Sequence, residues 1–241
     1  MQISVIVPAF NEEKLLAATL AEIQTAAQSF TARGWAFQLV VCDNNSTDRT
    51  AEIARVAGAT VVFEPVNQIA RARNAGAAAA SGDWLVFVDA DSHPSAALFV
   101  DVAEKISSGK VLAGGATVQM DELNVTTRLL MLLWTCISRL GKLMAGSFIF
   151  VEAAAFRQIG GFSREHFAAE EIDLSQRLKK LARAAGKKIV ILHRHPIVTS
   201  ARKLKLYTAR EMAGVFLRSL FNYRRTVRSR EATFYWYDGR R

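Results

Sequence analysis

Apolar and polar positions along the first hundred residues fall into two alternating registers. Runs rich in β-branched and aromatic residues recur at Ile3–Val7, Gln38–Val41, Thr60–Phe63 and Trp84–Val88, each the length of a strand. Between them Glu12–Thr31, Thr47–Ala57 and Gln68–Ala80 are Ala-rich and of helical length. Strand and helix alternating at this spacing predict a mostly parallel sheet covered by helices on both faces. Ligands of such sheets gather at the carboxyl ends of the strands, so the residues directly after each run are the candidates for chemistry.

Beyond about residue 110 the alternation loosens. A strand is predicted over Val111–Met120, followed by an apolar segment, Leu129–Phe150, broken by Arg139 and Lys142. Its charge-free stretch, Leu129–Ser138, is about half of the ~20 residues that a membrane-spanning helix needs. The segment therefore reads as a packed or interfacial amphipathic helix. Glu170–Ala185 predicts a helix that stops at Gly186, with Lys179, Lys180 and Arg183 in its final turns, where cations suit the helix dipole. Lys188–Leu192 predicts one more strand.

Composition narrows the class. The chain has 241 residues, enough for an ordinary core, and its 4 Pro and 14 Gly exclude collagen-like or low-complexity sequence. Its two cysteines, Cys42 and Cys136, show neither CxxC nor Cys/His spacing, which argues against a disulfide scaffold or zinc site and for a reducing compartment. MQISVIVPAF has no basic n-region and no A-x-A site, so it is expected to be a strand rather than a signal peptide. The net charge of +9 is uneven: residues 1–200 hold 20 Lys and Arg against 19 Asp and Glu, whereas residues 201–241 hold 11 against 3. The division this suggests is a near-neutral domain over 1–200 and a basic amphipathic extension over 201–241 that seeks an anionic partner.

Four polar constellations follow the predicted strands. VIVPAFNEE (Val5–Glu13) opens a helix, and an Asn11 cap with Glu12 and Glu13 in the first turn accounts for it equally well. VVCDNNSTDRT (Val40–Thr50) ends its strand with Asp43, whose carboxylate suits a base or a ribose; a capping turn is the structural alternative. WLVFVDADSHP (Trp84–Pro94) presents Asp89 and Asp91 two residues apart on extended chain, hence on one side. Two hard oxygen donors there suit Mg²⁺ or Mn²⁺ bridging to a diphosphate; otherwise Asp91 or Ser92 caps a helix beginning near Pro94. HFAAEEIDLSQRL (His166–Leu178) sets Glu170, Glu171 and Asp173 at a helix start, where carboxylates serve the dipole or act as a general base.

Together, in order and spacing, these segments resemble the family 2 glycosyltransferases. The similarity runs from VIVPAFNEE through the DNNSTDRT turn, RARNAGAAAASGDWLVFVDAD (Arg71–Asp91) and GSFIFVEAAAFRQIGGF (Gly146–Phe162) to EEIDLSQRL (Glu170–Leu178). The resemblance implies a GT-A fold, a Rossmann-like α/β architecture of mostly parallel sheet flanked by helices, and leaves the basic tail outside it. It also implies metal-dependent transfer of a sugar from a nucleoside-diphosphate sugar to an acceptor hydroxyl, with inversion and with Mn²⁺ or Mg²⁺.

By motif, Pro8, Phe10, Glu12 and Asp43 fall where the family lines the nucleotide pocket, and Arg73 where it faces the sugar-nucleotide. Asp89 and Asp91 match the DxD, with Asp91 the more direct metal ligand and Asp89 nearer the ribose or sugar. Glu170 and Glu171 match the Glu-Asp pair whose second member deprotonates the acceptor. A Glu replaces that Asp here, which leaves either residue open as the base, Glu171 favoured. His193 and His195 of ILHRHP lie where some members supply a further metal or diphosphate ligand, and Arg202 and Lys203 where a loop clamps the diphosphate.

Rival nucleotide folds fit less well. PAFNEE lacks the glycines of a nucleotidyltransferase loop, and neither GxGxxG nor GxxxxGK[ST] occurs. A nucleic-acid module explains the tail but not acids after three strands. The alternative from another class is a non-catalytic nucleotide-sugar binder. Among enzymes it is a lipid-phosphate glycosyltransferase at the membrane surface. The protein is expected to be cytoplasmic, with peripheral contact at the inner face of the membrane as the further option. For the tail, helical spacing of Met212, Phe216, Leu220, Tyr223 and Val227 fits packing on the body or membrane attachment.

Overall fold

The computed structural model describes residues 1–120, 125–202 and 226–233. The four expected strands form one half of a single sheet: β1 (Gln2–Ala9), β2 (Ala36–Asp43), β3 (Thr60–Phe63) and β4 (Trp84–Val88). They are parallel in the order β3-β2-β1-β4 and are separated in sequence by α1 (Leu16–Thr31), α2 (Thr50–Val56) and α3 (Ile69–Ala79). The chain continues through β5 (Ser92–His93), α4 (Ala96–Ser107), β6 (Val111–Met120), α5 (Val125–Gly141), β7 (Phe148–Glu152), α6 (Ala153–Gln158), α7 (Glu170–Ala184) and β8 (Lys188–Thr199). The full order is β3-β2-β1-β4-β7-β6-β8-β5, with β7 antiparallel to both neighbours and β5 antiparallel to β8.

Period-two alternation sorts the strands' side chains into two cores. Ile3, Val5, Val7, Val86 and Val88 face α1 and α4, packing on Leu20, Phe30, Phe99 and Val102. Ile6, Val40, Leu85 and Phe87 face the other way, onto Phe156 of α6 and Leu174 and Leu178 of α7. Strands buried on both faces read as continuous apolar runs, which is why β4 is WLVFV.

Four expectations change. The apolar segment Leu129–Phe150 contains two elements, since α5 ends at Gly141 and β7 begins at Phe148. One is apolar to enter the sheet, the other for reasons taken up below. Asn11 does not cap α1: it lies at φ +52° and its Oδ1 accepts from Thr47 N at 2.8 Å, so the helix starts only at Leu16. For α4 the cap is Ser95, whose hydroxyl accepts from Leu98 N at 3.1 Å, rather than Asp91 or Ser92. The ILHRHP string sits inside β8, which runs seven residues past the predicted Leu192.

Lys203 and the stripe positions Met212, Phe216, Leu220 and Tyr223 lie outside the described residues. The described part of the extension reaches back to the body. Val227 is buried and its carbonyl accepts from Phe167 N at 2.7 Å, while Arg228 pairs with Glu165 at 2.9 Å.

Candidate active site

Parallel strands end together, so the loops after β1, β2 and β4 share one edge of the sheet. The first two are laced to each other. Asn11 N donates to Ser46 Oγ at 3.0 Å, Glu12 N to Thr50 Oγ1 at 2.8 Å, and Glu13 N to Asp48 Oδ2 at 3.1 Å. The Asn/Ser/Thr/Asp turn therefore does more than cap its own helix: it fixes the backbone that carries Pro8, Phe10 and Glu12. Asp43 closes β2 beside Ala9 and accepts from Ser46 N at 3.0 Å. Arg202, from the far end of the chain, grips the buried Glu12 with one nitrogen 3.0 and 2.7 Å from the two carboxylate oxygens. Two residues predicted separately are thus one ion pair.

Beside this patch opens a cleft of about 310 Å³. Its polar floor is Arg73, Asp89, Asp91, Glu170 and Glu171, and its apolar walls include Ile69, Val118, Met120, Met131, Trp134 and Phe167. Arg73 is the organising residue. Only 1% exposed, it donates to Glu170 at 2.5 Å, to Asp89 at 2.8 Å and to the Gly146 carbonyl at 2.9 Å. Its guanidinium carbon lies 5.2 Å from the Phe162 ring centroid, a cation–π contact. Glycine at 146 permits this approach, since a Cβ there would meet Arg73 Nη2 at 3.0 Å. Burial by itself would loosen the Arg73 proton; Asp89, Glu170 and Glu171 outweigh burial and raise its pKa.

The two glutamates are consequently inequivalent. Glu170 is buried against Arg73, whereas Glu171 is half-buried on the cleft wall. Burial, and next the Glu170 carboxylate, push Glu171 up to about 8, a value suited to taking a proton near neutral pH. Both are aimed by the turn into α7, where Ala169 adopts a left-handed φ of +58°. That turn is held from outside by Gln68, whose Nε2 donates to the carbonyls of Arg164 and His166, and by Val227.

Asp91 is buried at the cleft, and its carbonyl accepts from Ser200 N at 3.1 Å, joining the end of β4 to the end of β8. Thr199 and Ser200 thereby enter the cleft; they belong to the TSARK string, in which the sequence assigns a role only to Arg202 and Lys203. No motif marks Met131 and Trp134, whose apolar spacing says helix but not which wall it builds. His193 and His195 do not line the cleft: His193 is exposed on β8, and His195 sits 3.0 Å from Asp101 of α4. Among the described residues no group of three or more His, Cys, Asp or Glu could hold a metal ion. The cleft offers instead two carboxylates, a set that suits Mg²⁺ or Mn²⁺ completed by substrate phosphates and water.

Parallel strands with an antiparallel β7 beyond the acidic loop define a GT-A type α/β fold, and solved structures agree. S. aureus TarS in complex with UDP-GlcNAc superposes with a TM-score of 0.64 at 23% identity, covering 84% of this chain and 59% of that one. Glucosyl-3-phosphoglycerate synthase from Mycobacterium tuberculosis, in complex with Mn²⁺, UDP and glucosyl-3-phosphoglycerate, gives 0.64 at 20% identity over 90% and 79%. Residues 4–159 match Glycosyl transferase family 2, and the chain belongs to that family. An uncharacterised glycosyltransferase of M. tuberculosis is 34% identical over 113 residues, 47% of each chain. A dolichol-phosphate mannosyltransferase of Pyrococcus furiosus is 32% identical over 48% of this chain and 33% of its own. The chain spans about half the length, or less, of these curated relatives.

Proposed function

We propose that the chain transfers a sugar from a nucleoside-diphosphate sugar to an acceptor hydroxyl, with inversion at the anomeric carbon and dependence on Mn²⁺ or Mg²⁺. The observation that carries this reading is the division of labour that Arg73 imposes on three carboxylates. It ties up Glu170 and one oxygen of Asp89 and leaves Glu171, its pKa raised, facing the cleft.

In this mechanism Glu171 accepts the proton of the acceptor hydroxyl as that oxygen attacks the anomeric carbon. The bond from that carbon to the diphosphate breaks on the opposite face, and the nucleoside diphosphate leaves with the electron pair. Glu170 is held by Arg73 and serves to place its neighbour. Asp91, with Asp89, would hold the metal ion, which when bound offsets negative charge on the leaving diphosphate. Pro8, Phe10, Glu12 and Asp43, along the adjoining strand ends, bind the nucleoside. Arg202, held by Glu12, contributes positive potential toward the phosphates, with Lys203 following it in sequence.

The bound UDP, UDP-GlcNAc and Mn²⁺ of the similar structures support this choice of donor class. Purified protein with Mn²⁺ and a panel of nucleotide sugars is the test, with released nucleoside diphosphate as the readout. Glu171→Gln is expected to retain donor binding and to lose transfer by roughly 10²–10⁴-fold, the usual weight of a general base. Full transfer by that variant would return the role to Glu170, and binding without turnover of any donor would make the chain a binder.

A further inference from the structure

Helix α5 turns its oily side outward. Leu129, Leu132, Leu133, Ile137 and Leu140 are between 45% and 87% exposed, and with Cys136, also exposed, they recur at the three-and-four spacing of one helix face. The side turned to the protein carries Met131 and Trp134 in the cleft wall and a buried Ser138, whose hydroxyl donates to the Leu143 carbonyl. Roughly 500 Å² of aliphatic surface lies along this face, at the upper end of what a soluble monomer leaves bare.

Cations border the stripe along one edge and at its C-terminal end. Arg128 and Arg139 are exposed on α5 itself, and Lys142 follows its last turn. Lys179 of α7 donates to the Gly141 carbonyl, and Arg183, one turn further along α7, is close enough to act on it. Burial, Arg183 and Lys142 together lower the Lys179 pKa, as expected where positive charges crowd. From Val125 to Val151 the sequence contains no Asp or Glu.

We infer that α5 is a docking surface for an anionic lipid bilayer, with the leucine stripe among acyl chains and the bordering cations at the headgroups. Charge selects this occupant. A second copy set stripe to stripe would oppose two borders of cations with no carboxylate between them. The chain's own residues 203–225 carry six Lys and Arg against Glu211 alone, the same sign as that border. A protein partner's site is expected to be richer in aromatic and hydrogen-bonding groups than a row of leucines. An aliphatic face with a basic border is what lies flat in a membrane interface. Among the described residues no helix is long and apolar enough to cross a membrane, so α5 lies on the bilayer rather than through it. Its other face then stands over the cleft, and an acceptor carried in the bilayer would meet Met131 and Trp134 first.

Flotation of the full chain with vesicles of phosphatidylcholine, with and without phosphatidylglycerol, tests the surface. Wild-type protein is expected to float with the anionic vesicles at low salt. Leu132→Glu with Leu133→Glu should weaken this at least roughly tenfold with unchanged thermal unfolding, since both side chains are already in water. Arg139→Gln with Lys142→Gln should weaken it roughly thirtyfold on anionic vesicles only. Arg224→Gln with Arg225→Gln should float as wild type. Wild-type protein left unbound at low salt overturns the inference. So does a leucine variant that floats normally, loss of binding only in the tail variant, or a solution dimer that the leucine variant dissolves. Nucleoside diphosphate release from a soluble donor, followed in parallel, separates the two readings: flotation without release refutes the enzyme, and release without flotation refutes the docking.

Discussion

Replacing Arg73 by Met removes the one positive charge among three carboxylates. The side chain is wholly buried and makes hydrogen bonds of 2.5, 2.8 and 2.9 Å to Glu170, Asp89 and the Gly146 carbonyl. Methionine fills most of the volume, so the loss is electrostatic rather than a cavity. Breaking a buried ion pair from one side costs about 3–5 kcal/mol, because the remaining charges stay desolvated and unpaired. At about 2–4 °C per kcal/mol for a chain of this size, Tm should fall by roughly 6–20 °C.

A pH series separates this from lost packing. Without Arg73, whose charge draws the Glu171 pKa down, Glu171 holds its proton still more tightly in the folded protein than in the unfolded chain. Stability from such groups is fully present below their unfolded pKa values and is lost as pH rises through the folded ones. Glu171 already stands at about 8 with Arg73 in place. The deficit of Arg73→Met against wild type should therefore widen as pH rises through and above about 8, by thermal unfolding from about pH 5 to 9. A deficit under about 1 kcal/mol, or one that does not vary with pH, would refute the account of Arg73 as charge keeper.

Three further outcomes follow from the same geometry. Asp91→Ala should abolish the Mn²⁺-dependent part of UDP binding in calorimetric titration, and an unchanged metal dependence would remove Asp91 from the proposed metal set. With Glu171 ionised to act as base, kcat/KM should rise with pH on an acid limb that lies well above the ordinary carboxylate range; a limb near 4.5 would exclude a raised Glu171. Iodoacetamide should label one of the two cysteines in native protein. Cys136 is exposed, whereas burial, Glu64 and Asp43 push the Cys42 thiol up to about 12; double labelling without unfolding would contradict this.

Much of the donor half of the molecule was legible because parallel α/β architecture writes itself locally. A strand buried on both faces must be a short apolar run, and the chain must leave it through a polar loop at the ligand edge. VIVPAFNEE, VVCDNNSTD and WLVFVDAD announce both facts, and all three land on that edge. The cap assignments failed at Asn11 because its side chain is spent on Thr47, far away in sequence, and at Asp91 because α4 begins only at Ala96, where Ser95 is the cap. Local spacing carries no information about such partners. The segment Leu129–Phe150 misled for a related reason: apolarity alone does not distinguish a strand entering the sheet from a helix face left in water.

The chain's basic excess is a property of sequence, and so is the order of its acidic motifs. Strand–helix alternation, also local to the sequence, predicted the fold class, and the acidic motifs predicted a diphosphate ligand. What the fold decided was which charges meet. Arg73 and Glu170 are 97 positions apart, and Glu12 and Arg202 are 190 apart, yet each pair is in direct contact. Burial makes the first contact strong enough to differentiate two adjacent glutamates that the sequence leaves interchangeable. The fold likewise decided that α5 leaves its leucine face in solvent, because only packing determines which side of an apolar helix is covered.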